Sequence, residues 1–288
     1  MTRTTDRAAL DDWYAVATAS EVTAQPVRTR LLGQDIEIVL TEGGMPMVRE
    51  IHDAGFGPPL PVESRYGCLW TTLGNPNKAI VHIAEADEAD RRFVACGWVT
   101  MRASGLRVVE NFLDMAHFPF VHTDILGSEP HTEVPAYLSE IRRDVDEVWA
   151  TNCTFFQPRI AATEDKGDFV HLTYRVPSPF IVMLYRVCPT APDRLDAIAL
   201  FIQPMEEGLC RAQPVMYLVD SVSTQKALLN FEQVIFLQDR IIVENQRPLL
   251  LPLEPRAEIP TRADSSSIAY RRWLKEKGVR FGTTAGGH

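Results

Sequence analysis

One stretch of the chain concentrates groups that do chemistry. Residues 109–122 read Val-Glu-Asn-Phe-Leu-Asp-Met-Ala-His-Phe-Pro-Phe-Val-His, which sets Asp114, His117 and His122 close together in an otherwise apolar segment. Asp114 and His117 stand at i and i+3, so on a helix they share a face. His122 lies five residues past His117 and would point away on an unbroken helix. Pro119 cannot donate an amide hydrogen and biases Phe118 out of the helical region. The helix is therefore expected to kink or end near Phe118 and to bring His122 back beside His117. Two imidazoles fixed this way are two corners of a metal site. The same spacing also suits residues that cap a helix and fill a core. Asp114 is open to two roles: direct ligand, or acceptor of the distal N–H of a ligating histidine, which fixes its tautomer and raises its basicity. Asn111, one turn earlier, would line the same pocket edge.

A third corner lies far down the chain. Asp239 is four residues after Ile235 and three before Ile242, on the apolar face of a long helix expected over roughly 224–246. An unpaired carboxylate is costly there. A salt bridge, for instance to Arg240, would satisfy it. With His117 and His122 it would instead complete a two-histidine, one-carboxylate set, which suits non-haem Fe(II) and O₂ chemistry.

The elements that must position these groups follow from periodicity. Short strands are expected at 13–18, 26–32, 35–41, 45–51, 66–72 and 79–83, separated by Gly33, Gly43-Gly44, residues 55–61 and 74–76. An acidic connector (85–90) and a strand-like stretch (91–101) lead into a helix over 106–117. Long strands at about 133–143, 148–157, 168–176, 180–187, 195–203 and 210–218 are joined by loops such as 163–167, 189–194 and 206–208, short enough for antiparallel hairpins. The long helix packs on that sheet. A Pro/Leu-rich connector (248–260) precedes a last helix from about Asp264 to Gly278, and residues 283–288 read as a mobile tail.

Composition bounds the partners. The 288 residues are 45% hydrophobic and 23% charged, an ordinary globular balance. A net charge of −9 disfavours nucleic acid and anionic membranes. No apolar run is long enough to span a bilayer, and residues 1–10 lack a signal-peptide core. Cys68, Cys96, Cys153, Cys188 and Cys210 are scattered and form no C-x-x-C pair, which reads as reduced thiols in a cytoplasmic protein.

At this point the sequence resembles a known family. Asn111-x-x-Asp114-x-x-His117-x-x-x-x-His122, with Gln238-Asp239 later, looks like the catalytic domain of Rieske-type non-haem iron oxygenases. The likeness runs from about Arg91 to the C-terminus and includes Trp98, Glu244-x-Gln246-Arg247-Pro248 and Ser267-Ile268-Ala269-Tyr270-Arg271-Arg272-Trp273-Leu274. The last of these is similar to the monooxygenase and demethylase branch. The resemblance implies an α+β fold, with a helix-grip-like catalytic domain (91–288) built from a large antiparallel sheet and a long C-terminal helix. It implies His117, His122 and Asp239 as ligands of a mononuclear Fe(II), and Asp114 as the bridge by which an electron enters.

The N-terminal part (1–90) resembles a truncated, all-β Rieske-like module. Asp12-Trp13-Tyr14-Ala15-Val16-Ala17 and Arg30-Leu31-Leu32-Gly33-x-x-Ile36 look like the opening strands of a Rieske domain, and Pro61-Val62-Glu63-x-Arg65-Tyr66-Gly67-x-Leu69-Trp70 like its exit. Between them the family carries Cys-x-His and Cys-x-x-His around a [2Fe–2S] cluster. Here residues 48–60 contain no cysteine and a single histidine, His52, which reads as a surface loop residue.

O₂ insertion at mononuclear iron needs two electrons, of which Fe(II) supplies one. The resemblance therefore implies a borrowed cluster, from a Rieske-bearing reductase or ferredoxin fed by NAD(P)H. Bacterial methylxanthine N-demethylases include a component similar to this chain in lacking the cluster. The implied activity is oxidative demethylation at the N7 methyl of a methylxanthine: hydroxylation of N–CH₃, then collapse to formaldehyde. The substrate would be a small aromatic molecule lodged between sheet and long helix, with Phe118, Phe155, Phe169, Leu172, Phe201, Gln203, Leu237 and Asn111 as candidate walls. A trimer or hetero-complex is expected. The alternatives are a non-catalytic scaffold subunit of an oxygenase complex, an O-demethylase or hydroxylase of another aromatic substrate, and a metal-dependent hydrolase that needs neither O₂ nor reductant.

Overall fold

A computed structural model describes residues 3–159, 167–189 and 191–285. Parts of the expected 163–167 loop, the 189–194 loop and the 283–288 tail lie outside the described residues. A short helix α1 (Arg7–Leu10) precedes two small antiparallel sheets. One has the order β1 (Tyr14–Thr18), β7 (Cys68–Thr71), β6 (Val62–Arg65). The other runs β2 (Val27–Leu31), β3 (Gln34–Leu40), β4 (Pro46–His52), β5 (Gly55–Pro59). Residues 55–61, expected as a separator, thus form the edge strand β5 and lead into β6. Edge position explains the tolerated prolines, since the ladder needs no donor on the outer side. Conversely, residues 79–83 form no strand. Their polar groups are taken by a side chain: the Tyr66 hydroxyl donates to Val81 O (2.8 Å) and accepts from Ile83 N (3.0 Å).

The large sheet is antiparallel throughout. Its order is β10 (Leu138–Arg142), β11 (Glu147–Gln157), β12 (Asp168–Ser178), β13 (Ile181–Cys188), β14 (Ala191–Glu206), β15 (Leu209–Leu218), β8 (Arg92–Ala95), with β9 (Val99–Met101) also on β15. Strand parity divides its faces. On β14, Ala197, Ala199 and Phe201 point toward the small sheet, where Phe201 meets Trp70 edge-on at 4.8 Å. The intervening Leu200 and Ile202 point the other way, into the core that holds helices α2 (Gly105–Leu113) and α5 (Ser265–Lys277). Ile198 faces that side too, near Leu228 of α4 (Gln225–Asn245).

The helices start where their caps say they should. Ser104 Oγ accepts from Leu106 N to open α2, and Thr224 Oγ1 accepts from Ala227 N to open α4. Gly278, at φ +75°, closes α5 in the left-handed region. No described helix is long and apolar enough to cross a membrane.

Candidate active site

The α2 helix ends sooner than Pro119 alone would require. Asp114 is extended (φ −86°, ψ 127°), and its Oδ1 accepts from Ala116 N at 2.8 Å. This local side-chain turn competes with helix continuation and wins. Pro119 then sits in the first turn of a new short helix, α3 (Phe118–Val121), where a missing amide hydrogen costs nothing. His117 is its N-cap and His122 its C-cap, so one short turn presents both imidazoles. The expected kink is a break with a restart, and the two rings end up 5.0 Å apart.

Their Nε2 atoms face each other at 3.1 Å. Asp239 Oδ1, from α4, lies 3.0 Å from His122 Nε2 and 3.3 Å from His117 Nε2. Arg240 does not neutralise Asp239; it pairs with Glu244 at 3.2 Å. Each of the three residues is held from behind. Asp114 Oδ2 is 3.0 Å from His117 Nδ1, Gln238 Oε1 is 2.8 Å from His122 Nδ1, and Asn111 Nδ2 donates to Asp239 Oδ1 at 3.0 Å. Gln238 Oε1 and the Asp114 carboxylate can only accept from the rings, which places a hydrogen on each Nδ1 and turns both Nε2 atoms toward Asp239, where each can hold either a proton or a metal ion.

Two lone pairs and a carboxylate oxygen thus converge, an arrangement that repels itself unless a positive charge sits among them. Burial pulls the His117 pKa down, yet hydrogen bonds to Asp114 and Asp239 outweigh it and carry it up to about 9. Burial likewise raises the Asp239 carboxyl, but its bonds to the two histidines bring it below the usual range. The donor atoms lie within 4.8 Å of one another. Two imidazoles, one carboxylate and space beside them fit a first-row divalent ion such as Fe(II). Asp114 is not one of the converging groups; it stands behind His117.

A cavity of about 380 Å³ opens beside the triad, between the sheet and α4. Asn111, Phe118 and Leu172 line it, together with Tyr174, Ile198, Leu228, Ile235 and Phe236. Phe155 stands behind Phe118, its ring 5.4 Å away. Phe169 has the opposite parity to Leu172 and Tyr174 and is half-exposed beside Phe156. Phe201 and Gln203 share the parity that faces the N-terminal sheets. The Gln203 amide donates to Thr29 Oγ1 and Arg30 O (3.1 and 2.7 Å). Leu237 falls outside the α4 stripe of 228, 232, 235, 236 and 239 and is half-exposed.

Several lining residues escaped sequence reasoning. Glu232 is buried on the cavity side of α4, and burial pushes its carboxyl up to about 7 against the pull of Arg186. Arg186 and Asp196, 3.7 Å apart, occupy neighbouring strands of the wall. Gln238 was visible only as part of a motif. The available signal for Glu232 was its place on the apolar stripe seven residues before Asp239.

On the other side of the triad, Asp114 and His117 border a second groove of about 960 Å³ between α4, α5 and the 252–260 connector. Among the N-terminal strands, residues 46–59 form the β4–β5 hairpin, with a register shift between Arg49 and Ile51. His52 is exposed there, 3.3 Å from Glu50. All five cysteines are buried, and none is part of a disulfide.

A long helix laid over an antiparallel sheet, with two histidines and a carboxylate at the cavity end, defines a class: the catalytic chains of mononuclear iron oxygenases. The model for the vanillate O-demethylase oxygenase C-terminal domain matches residues 101–280. The chain is 46% identical over 278 residues (96% of this chain, 97% of the other) to a protein named probable methylxanthine N7-demethylase NdmC, from Pseudomonas sp. (strain TJI-51). It is 24% identical to methylxanthine N1-demethylase NdmA of Pseudomonas putida over 217 residues (74% and 59% of the two chains). Among solved structures, Pseudomonas putida CBB5 NdmA with caffeine superposes with a TM-score of 0.77 over 94% of this chain and 92% of that one, at 18% identity. Dicamba monooxygenase bound to dicamba superposes at 0.69 over 93% and 97%, at 15% identity. These structural likenesses concern the fold. The chain belongs to the Rieske-type non-haem iron oxygenases, in the family of the vanillate O-demethylase oxygenase C-terminal domain.

Proposed function

We propose that this chain is the catalytic subunit of a multicomponent N-demethylase that removes the N7 methyl group of a methylxanthine in the cytoplasm. The observation that carries the reading is the converging set of His117, His122 and Asp239 at the end of an apolar cavity. The substrate assignment is supported by the 46% identity to a probable methylxanthine N7-demethylase. Fe(II) bound by these residues would supply O₂ activation and oxidation of the methyl C–H, releasing formaldehyde with the consumption of two electrons that originate from NAD(P)H.

The protein's own residues have separable tasks. Phe118, Leu172 and Phe236 exclude water and hold a flat ring. Asn111 orients the Asp239 carboxylate, and Gln238 and Asp114 fix the histidine tautomers. Asp114 has a second task, as the route by which an electron arrives. It is partly exposed and borders the outer groove, while the cavity lies on the opposite side of the triad. A [2Fe–2S] protein, a Rieske-bearing reductase or ferredoxin, would dock over this groove, either on a trimer of this chain or in a hetero-complex. The absence of cysteine from residues 48–60 supports an external cluster.

Reconstitution tests this. Anaerobically purified protein loaded with Fe(II) is expected to be inactive alone. It should form formaldehyde from a 7-methylated xanthine when a Rieske-bearing reductase, NADH or NADPH and O₂ are added. Asp114→Asn should retain iron and lose turnover. Normal turnover by that variant would remove the electron route, and a protein that never binds iron would point to a scaffold subunit.

A further inference from the structure

The cavity wall is mostly apolar, and one of its polar groups is explained neither by the metal site nor by a hydrogen bond. Glu232 is 7% exposed, lines the cavity, and forms no hydrogen bond or ion pair among the described residues. A buried carboxyl without a partner is destabilising. Elsewhere on the wall, Gln157 Oε1 and the Tyr174 hydroxyl are buried without a hydrogen-bond partner. Other polar wall groups do have partners. Asn111 is engaged with Asp239, and Asp196 accepts from Val219 N at 2.9 Å.

Glu232 is also at an informative depth. It precedes Asp239 by seven residues on the same face of α4, two turns or about 10 Å along the axis. That is about the length of a methylated bicyclic purine. With the reactive methyl group at the triad, the far end of the ring falls beside residue 232. In an N7-methylated xanthine that far end is the pyrimidine-dione edge, made of C=O groups flanked by N1 and N3. Where those nitrogens carry hydrogen, each N–H/C=O pair is a lactam, complementary to a carboxyl group.

We propose that Glu232 determines specificity within this cavity by hydrogen-bonding an unmethylated lactam edge of the substrate. Its carboxyl accepts from the ring N–H and, when protonated, donates to the adjacent C=O. A carboxyl raised to about 7 by burial carries both forms near neutrality. Methylation at N1 and N3 removes the donors and adds bulk at the same edge, so the site favours the monomethylated ring over the trimethylated one. This rests on the methylxanthine reading above.

The test is equilibrium binding, by calorimetry, to the full chain loaded with Fe(II) under anaerobic conditions without a reductase, so that no turnover intervenes. The probes are 7-methylxanthine, which has free N1–H and N3–H, and 1,3,7-trimethylxanthine, which has neither. Wild-type protein is expected to prefer 7-methylxanthine by about 10- to 100-fold, the loss expected for an unmade hydrogen bond to an ionisable group. Glu232→Leu should abolish the preference and raise the melting temperature, because an unpartnered buried carboxyl has been removed. Glu232→Gln, whose amide still offers a donor and an acceptor, should keep part of the preference. If Glu232→Leu keeps the wild-type preference, or lowers the melting temperature and weakens both probes equally, the specificity role is overturned. If wild-type protein binds neither xanthine but takes up a methoxybenzoate, the methylxanthine reading itself fails, a result distinguishable before any variant is made.

Discussion

Gln238 offers a sharp test of how the metal centre is built. Its Oε1 lies 2.8 Å from His122 Nδ1, and His122 is fully buried. In Gln238→Leu the ring loses that acceptor. Without metal the imidazole can respond by moving its hydrogen to Nε2, 3.0 Å from Asp239 Oδ1. With metal it cannot, because Nε2 must stay bare. The penalty for an unpaired buried N–H, about 1–3 kcal/mol, therefore falls on the metal-bound form alone. That corresponds to affinity weakened by about 5- to 150-fold, in line with the roughly 10–100-fold typical when an outer partner of a ligating histidine is lost. Asp114 differs, because it is partly exposed and water can replace it at His117 Nδ1. Asp114→Asn should therefore weaken metal binding less than Gln238→Leu. The assay is competition between anaerobic apoprotein and a chromophoric chelator for Fe(II) or Co(II). A Gln238→Leu protein that folds normally and binds metal within twofold of wild type would refute the tautomer argument.

Asp239→Ala removes the converging carboxylate and should leave no stoichiometric iron after gel filtration, measured by elemental analysis. Gly127→Ala would set a Cβ 2.6 Å from Pro119 N and 2.9 Å from Phe118 C, backbone that carries the histidine turn. It should cost about 1–3 kcal/mol in denaturant unfolding and weaken metal binding as α3 shifts. Arg107 is fully buried and bonds Glu110 Oε2 (2.8 Å) and Glu258 Oε1 (2.6 Å). Arg107→Met should destabilise by about 1–3 kcal/mol, because it removes one of the two arginines that pair these carboxylates and leaves Arg271 alone to hold them. Burial raises the Glu258 carboxyl, but hydrogen bonds from Arg107 and Arg271 outweigh it and hold it below its ordinary 4.5. A carboxyl lowered in the folded state stabilises above its unfolded pKa and loses that contribution as pH falls through the folded value. Stability should thus decline below about pH 4.5, and more shallowly in Glu258→Gln, as followed by thermal melts across pH.

Much of the site was legible because its chemistry is local. The spacing of Asp114, His117 and His122 confines them to one or two turns of backbone, whatever the fold does around them. Strand positions in the large sheet were legible for a similar reason, since alternation survives burial of one face. The local signals that misled were those with two physical outcomes. Pro119 can end one helix or begin another, and the Asp114 side-chain turn decided the matter one turn earlier. Gly and Pro in residues 55–61 can separate strands or occupy an edge, and pairing with β4 selected the edge.

The cavity walls were less legible, because a phenylalanine on a strand carries no mark of which face has which neighbour. Leu172 faces the cavity, while Phe201 faces Trp70 and Phe169 lies half-exposed beside Phe156, through strand parity and sheet order; Phe118 reaches the cavity from the α3 turn. What the amino-acid sequence determined by itself is the inventory: two histidines on a short turn, a distant aspartate on an apolar helix face, and the cysteine-free span at 48–60. Tertiary structure alone decided that Asp239 meets the histidines rather than Arg240, that Asn111 braces Asp239 and Gln238 braces His122, and that Glu232 faces the cavity. The physical reason is distance along the chain. Contacts between residues more than a hundred positions apart depend on how a whole sheet and two helices pack, and no local propensity carries that information.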